Sequence, residues 1–182
     1  MIPDIPLATA ADAERLRSFA AEAFHDTYES HNTPADMERY VADAFTVERQ
    51  TAEITGADST VLLAEHSEES GFVHVVGYAH LIRSAPPPAV GPAPIELKRF
   101  YVGRKWHGQG IAQALMDATL DAARMGGART IWLGVWEVNR RAIAFYTKSG
   151  FVPVGELSFM LGADLQRDWL MARALEKAAV GR

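Results

Sequence analysis

The run His107-Gly108-Gln109-Gly110-Ile111-Ala112 places small residues at alternate positions, where a strand should give way to a helix. Small side chains let a backbone close on an anion. The first N–H groups of the helix point outward with no carbonyl to receive them, and the helix dipole adds to the attraction. Arg104, Lys105 and His107 can supplement the charge. The pattern fits a phosphate or pyrophosphate, although a G-x-G turn alone is as often a plain tight connection. It is not a dinucleotide fingerprint, because the third glycine is missing and this is not the first strand–helix unit. Nor is it a Walker loop, since no Gly-Lys-Ser/Thr follows.

Two other groups could do chemistry. Asn139 stands where it can cap a helix, and Tyr146 follows about two turns later, so both face one side of that helix. His25, Asp26, Tyr28, Glu29 and His31 set an aromatic ring among acids, which can hold a cation. The same run also reads as an ordinary solvated loop. Asp168 beside Trp169 is a further candidate of that kind.

The elements that must position these residues follow from periodicity. Ile5 to Thr9 reads as a first strand. Thr9 and Asp12 form a capping-box pair ahead of a helix to about Phe24, and His25 to Thr33 reads as loop. Thr33 and Pro34 open a second helix carrying Met37, Tyr40, Val41 and Phe45, and Thr46 caps a third through Ile54. Strands are predicted over 60–65 and 72–82, with Gly77 a bulge or bend. A stiff loop containing Pro86, Pro87, Pro88, Pro92 and Pro94 precedes a strand over 95–102. A helix over 110–125 ends at Gly126-Gly127, a strand covers 130–135, and Asn139 caps a helix to Ser149. Residues 151–154 are strand-like, and 157–161 with 169–174 suit a hairpin around Gly162-Ala163-Asp164. Strand–helix–strand order in the second half implies a crossover, and consecutive strands in the first half imply antiparallel pairing. The result is a mixed sheet in a single domain over residues 1–182.

Composition narrows the function. The chain has 182 residues, 48% of them apolar, and no cysteine. A chain of this size buries about 70% of its extended surface without staples. The missing cysteines exclude disulfides, thiolate zinc sites and a cysteine nucleophile. The net charge of −5 is unattractive to nucleic acid and welcoming to a polycation, though mild acidity also simply aids solubility. Met1 to Thr9 carries Pro3, Asp4 and Pro6 rather than a basic-then-apolar leader, and no apolar run approaches a membrane span. A cytoplasmic protein with no nucleic-acid, membrane or metal partner is expected.

The segment from Val135 to Phe151 reads V-x-x-x-N-x-x-A-x-x-F-Y-x-K-x-G-F. With the phosphate turn at the right distance before it, it resembles the GNAT superfamily of N-acetyltransferases. The strand Glu96-Leu97-Lys98-Arg99-Phe100-Tyr101-Val102 resembles that family's fourth strand. A nearer resemblance is to the PaiA-like spermidine/spermine acetyltransferases. It is carried by His31 to Met37, Ile131 to Glu137, Ser158 to Gly162, and Leu165 to Met171. The chain departs from the family at His107, where Gln or Arg is usual.

The resemblance implies an α/β fold with a mixed central sheet of about seven strands and helices on both faces. It implies acetyl-CoA as cosubstrate and direct attack by a primary amine, a polyamine among the candidates, with a homodimer as the family expectation. Three tasks follow: an amine of pKa about 10.4 must lose a proton, the thioester carbonyl must be polarised, and the departing thiolate must be protonated. Tyr146 matches the family's general acid. His107, Gly108, Gln109, Gly110, Ile111 and Ala112 match its pyrophosphate turn. Phe100, Tyr101 and Val102 match the strand edge beside the pantetheine, with Phe100 and Val102 facing opposite to Tyr101. Asn139 matches a pantetheine contact, and Lys148 either reaches a CoA phosphate or is a solvated helix-end charge. Glu96 is the first candidate base, acting through water; Glu137 is the second, and proton loss to water is the third route. Tyr28, Glu29 and Glu137 are candidates for the acceptor pocket. Acceptance of a protein N-terminus, lysine, amino acid or drug amine stays open, as does a CoA-binding sensor without catalysis.

Overall fold

The computed structural model describes residues 3–161 and 164–175. Five helices, α1 (Ala13–Tyr28), α2 (Pro34–Ala44), α3 (Val47–Thr55), α4 (Ile111–Met125) and α5 (Arg140–Lys148), flank six strands. The strands are β1 (Ser59–Ser67), β2 (Val73–Ile82), β3 (Pro94–Val102), β4 (Thr130–Trp136), β5 (Val152–Leu161) and β6 (Asp164–Ala174). They form one mixed sheet in the order β1-β2-β3-β4-β6-β5. Among the described residues only the β3–β4 neighbours are parallel, because α4 provides the crossover between these adjacent strands.

Alternation along β1 divides the core. Leu62 and Ala64 face α4 and α5, together with Leu115, Ile131, Leu133 and Phe151. Val61 and Leu63 face α1–α3, together with Leu16, Phe24, Met37 and Phe45. Leu115 on α4 is fully buried. Leu115→Ala is expected to cost about 2–5 kcal/mol, the lost transfer energy plus the cavity left behind. Urea denaturation should show an earlier midpoint at unchanged slope.

The helix starts carry the expected caps. Thr33 accepts from Asp36 N–H, Thr46 from Arg49 N–H, and Asn139 from Ala142 N–H. Thr9 donates its N–H and its hydroxyl to Asp12. The β-bulge falls at Val76, where Ala64 pairs with Gly77 and Glu65 with Val75.

Three expectations need correction. Ile5–Thr9 is not a regular strand: it touches β1 through one isolated bridge, Leu7 to Leu62, with Asp4 bridging Glu65 just before it. Pro3 and Pro6 lack the N–H groups a continued ladder needs, so among the described residues the sheet has six strands rather than about seven. Second, α1 runs on to Tyr28, taking His25, Asp26 and Tyr28 out of the predicted loop. The polar residues there cover only the solvent face, while Ala20, Ala23 and Phe24 continue the buried stripe. Third, β5 is continuous from Val152, and β6 starts at Asp164 rather than near Trp169. Gly162 and Ala163, where the hairpin turn was expected, lie outside the described residues. Among the described residues no helix is long and apolar enough to cross a membrane.

Candidate active site

The site begins where the parallel pairing stops. β3 and β4 share rungs only from Pro94–Thr130 to Glu96–Trp132. Beyond that, β3 stays with β2 as far as Val102, and Leu133–Trp136 stays with β6. The facing edges separate and leave backbone groups without strand partners, the condition under which an extended amide chain can pair. A bulge at Lys98, between the rungs Leu81–Leu97 and His80–Arg99, adds twist at this point.

The opening is a cleft of about 440 Å³. Phe100, Tyr101, Val102, Asn139, Tyr146 and Lys148 all line it, as do Gly108, Gly110 and Ala112 at one end. Phe100 and Val102 pack toward α4 and α5, and Tyr101 toward α1, as strand alternation requires. Tyr146 is buried against Phe100, Phe145 and Phe151. Burial pushes its hydroxyl well above the ordinary tyrosine range, so it stays protonated at neutral pH.

The glycine turn has the predicted character. Gly108 and Gly110 have φ of 77° and 83°, a region that side chains rarely adopt. Gly110 caps α4 without a side-chain bond, whereas Thr33, Thr46 and Asn139 cap their helices. The first helical bond runs from Ala114 N–H to Gly110 C=O, so the preceding N–H groups at this end have no helical acceptor. Ile111 has its side chain in the core, and Gln109 donates to Lys105 C=O outside the cleft wall; only their main chains belong to the turn.

His107 lines the cleft and is held there by two protein groups. Its Nε2 lies 2.9 Å from the Val102 carbonyl, which can only accept, so Nε2 carries the proton. Nδ1 then accepts from Arg141 at 2.7 Å. The ring thus ties β3 to α5 and holds a guanidinium at the cleft, and it occupies one carbonyl of the edge that was assigned to the pantetheine. Arg141, Trp106, Trp136 and Phe145 also line the cleft; none was a candidate site residue, although Phe145 is a fixed position of the Val135–Phe151 segment. Arg141 stands two residues after the cap Asn139, and Trp136 lies in the Ile131–Glu137 segment, both visible signals; Trp106 offered none.

The acidic candidates fare differently. Glu96 sits on the last parallel rung, accepts from Ser84, and is absent from the cleft lining. Glu137 is paired with Arg167, and Glu29 with His25, both outside the cleft. Tyr28 does line it. Its ring meets Trp136 at 5.7 Å and its hydroxyl shares a hydrogen bond with Tyr101. Burial pushes that hydroxyl up to about 12. Asn32 and Gln166 join the α1–α2 connection to β6 with a 2.9 Å bond. An adjoining hollow of about 360 Å³ shares His107, Asn139 and Arg141, and adds Asp26, His31, Arg104 and Arg140. Among the described residues no group of three or more His, Asp or Glu could hold a metal ion.

Comparison with known proteins gives a consistent picture. The model of the acetyltransferase (GNAT) family matches residues 16–151. An uncharacterised N-acetyltransferase of Mycobacterium tuberculosis is 34% identical over 164 residues, 90% of this chain and 98% of that protein. One from Lactobacillus delbrueckii subsp. lactis is 28% identical over 165 residues, 90% and 92% of the respective chains. Among solved structures, the PaiA N-acetyltransferase of Thermoplasma acidophilum, in complex with coenzyme A, superposes with a TM-score of 0.75. That match covers 96% of this chain and 99% of the other at 20% identity, a likeness of fold.

Proposed function

Because the chain belongs to the acetyltransferase (GNAT) family, and so is an acetyl-CoA-dependent N-acetyltransferase, we propose that acetyl-CoA lies in the cleft between β3 and β4 and that a primary amine reaches it from the α1 face. The observation that carries this reading is the broken β3–β4 ladder ending at an uncapped, glycine-led helix. A pantetheine arm is a chain of amides and suits the free strand edges. A diphosphate suits Gly108, Gly110, Ala112 and the first N–H groups of α4, with Arg141 beside them.

Acetyl-CoA supplies an acyl group already activated as a thioester. The protein's tasks are to hold it, polarise the carbonyl with backbone donors, and manage two protons. Tyr146 carries the proton for the departing sulfur, held in its acid form by burial. Asn139 keeps α5 capped at the cleft, and Lys148, the last residue of α5, lines the cleft. The catalytic unit is the whole chain, acting in the cytoplasm and as a homodimer.

For the acceptor we favour a polyamine, on the PaiA-like segments and the Tyr28–Trp136 aromatic wall. A second reading is favoured by the adjoining hollow, where Arg104, Arg140 and Arg141 suit the carboxylate of an amino acid or peptide. Thiol release from acetyl-CoA, measured with spermidine, spermine, putrescine, lysine and a short peptide, separates these. Turnover of the first three supports the polyamine; turnover of the last two alone removes it. Thiol release that no amine accelerates contradicts acetyl transfer to an amine.

A further inference from the structure

Gly134 stands in the middle of β4 and is exposed to the cleft, while Leu133 and Val135 on either side are buried. Its φ is not in the positive region, so backbone conformation does not call for glycine. Space does. A Cβ at Gly134 would lie 3.2 Å from Asp168 Oδ2 and 3.4 Å from Leu157 Cδ1. Asp168 pairs with Trp136 across the β4–β6 ladder. Asp168 does not itself line the cleft; its Oδ2 lies on the face toward which a Gly134 side chain would point, so the missing side chain at this cleft-lining position is a window toward that oxygen.

Asp168 Oδ1 is buried and has no hydrogen-bond partner. A buried carboxylate oxygen left unpaired is costly, and a residue kept only for packing has no reason to carry one. The titratable groups facing it are Tyr28 from α1 and Glu137 from the end of β4. Neither is a cation, and Glu137 already has Arg167. Glu29 and Glu96 are engaged elsewhere.

We infer that Asp168 receives the acceptor's ammonium group through the window at Gly134 and takes the proton that must leave before the nitrogen attacks. This rests on the reading of the cleft as an acetyl-transfer site. It sets the substrate class: alkyl amines that arrive protonated. One N–H bond breaks toward Asp168, and the freed lone pair attacks the thioester carbonyl carbon. The C–S bond breaks with its electrons to sulfur, which takes the Tyr146 proton. The second nitrogen proton restores Tyr146, and the first passes from Asp168 to solvent, giving amide, thiol and one released proton. Burial, reinforced by Glu137, pushes the Asp168 carboxyl up to about 6, ionised at neutral pH yet more basic than an exposed aspartate.

The test is the pH dependence of kcat/KM for whichever of spermidine, spermine, putrescine, lysine or a short peptide turns over fastest. Wild type should be level from just above pH 6 toward the amine's own pKa, because carboxylate and ammonium are both present there. Asp168→Asn should lower the value at pH 7 by roughly 100-fold. It should then rise about tenfold per pH unit as the amine sheds its own proton, with CoA affinity unchanged and partial recovery in Asp168→Glu. Unaltered kcat/KM in Asp168→Asn, or a profile parallel to wild type at every pH, overturns the inference and marks a structural role. If Asp168→Asn does not fold, the wild-type profile decides: a steady climb through pH 7 to 9 overturns it. Failure of wild type with every amine instead removes the acetyl-transfer reading beneath it.

Discussion

Gly110→Glu is expected to weaken CoA binding at least about a hundredfold, roughly 2.7 kcal/mol. Two effects add. At φ 83° a side chain costs roughly 1–3 kcal/mol of backbone strain unless the turn relaxes, and relaxation moves the N–H groups that begin α4. The carboxylate then sits where the diphosphate is placed and competes for the same donors. A Cβ at Gly110 meets nothing within 4 Å, so the protein should still fold. Gly110→Ala separates the terms: it carries the strain without the charge and should lose less affinity. Calorimetry with CoA, alongside thermal melting, reads both. Unchanged CoA affinity in Gly110→Glu would remove the turn from the cofactor site.

Tyr146→Phe should lower turnover at least about tenfold while CoA still binds. The ring is held by Phe100, Phe145 and Phe151, and the substitution keeps those contacts and deletes only the hydroxyl. Without it the thiolate must leave unprotonated or find water. Lost CoA affinity at the same time would point to a binding role, and unaltered turnover would take Tyr146 out of the proton path. Because burial holds the hydroxyl in its acid form, wild-type activity should show no loss from its ionisation near neutral pH.

Local chemistry was legible in the sequence. Thr33, Thr46 and Asn139 are side-chain caps whose bonds span a few residues, and each forms as expected. The glycine turn is local too, since its dihedrals and the helix after it are set by neighbours. Tertiary facts were not legible. Glu96 and Phe100 lie on one strand, but which faces the cleft depends on where β3 parts from β4, and that depends on β2 and β6 holding each strand apart. Val102 and Arg141 become partners of His107 only in the fold, so the sequence did not show them. Polar residues from His25 to Tyr28 suggested loop because one solvated face of a helix and a loop have the same composition. Asp168 stood out only weakly. Its role in the account comes from Gly134, a neighbour across the sheet.

A crystal structure with CoA and the preferred alkyl amine bears most directly on the central claim. The account predicts the diphosphate on Gly108, Gly110 and the first α4 N–H groups, the pantetheine along the β3 edge, and the sulfur beside the Tyr146 hydroxyl. The amine nitrogen should lie at the Gly134 window. CoA bound elsewhere, with β3 and β4 zipped together beyond Glu96 and Trp132, would contradict it.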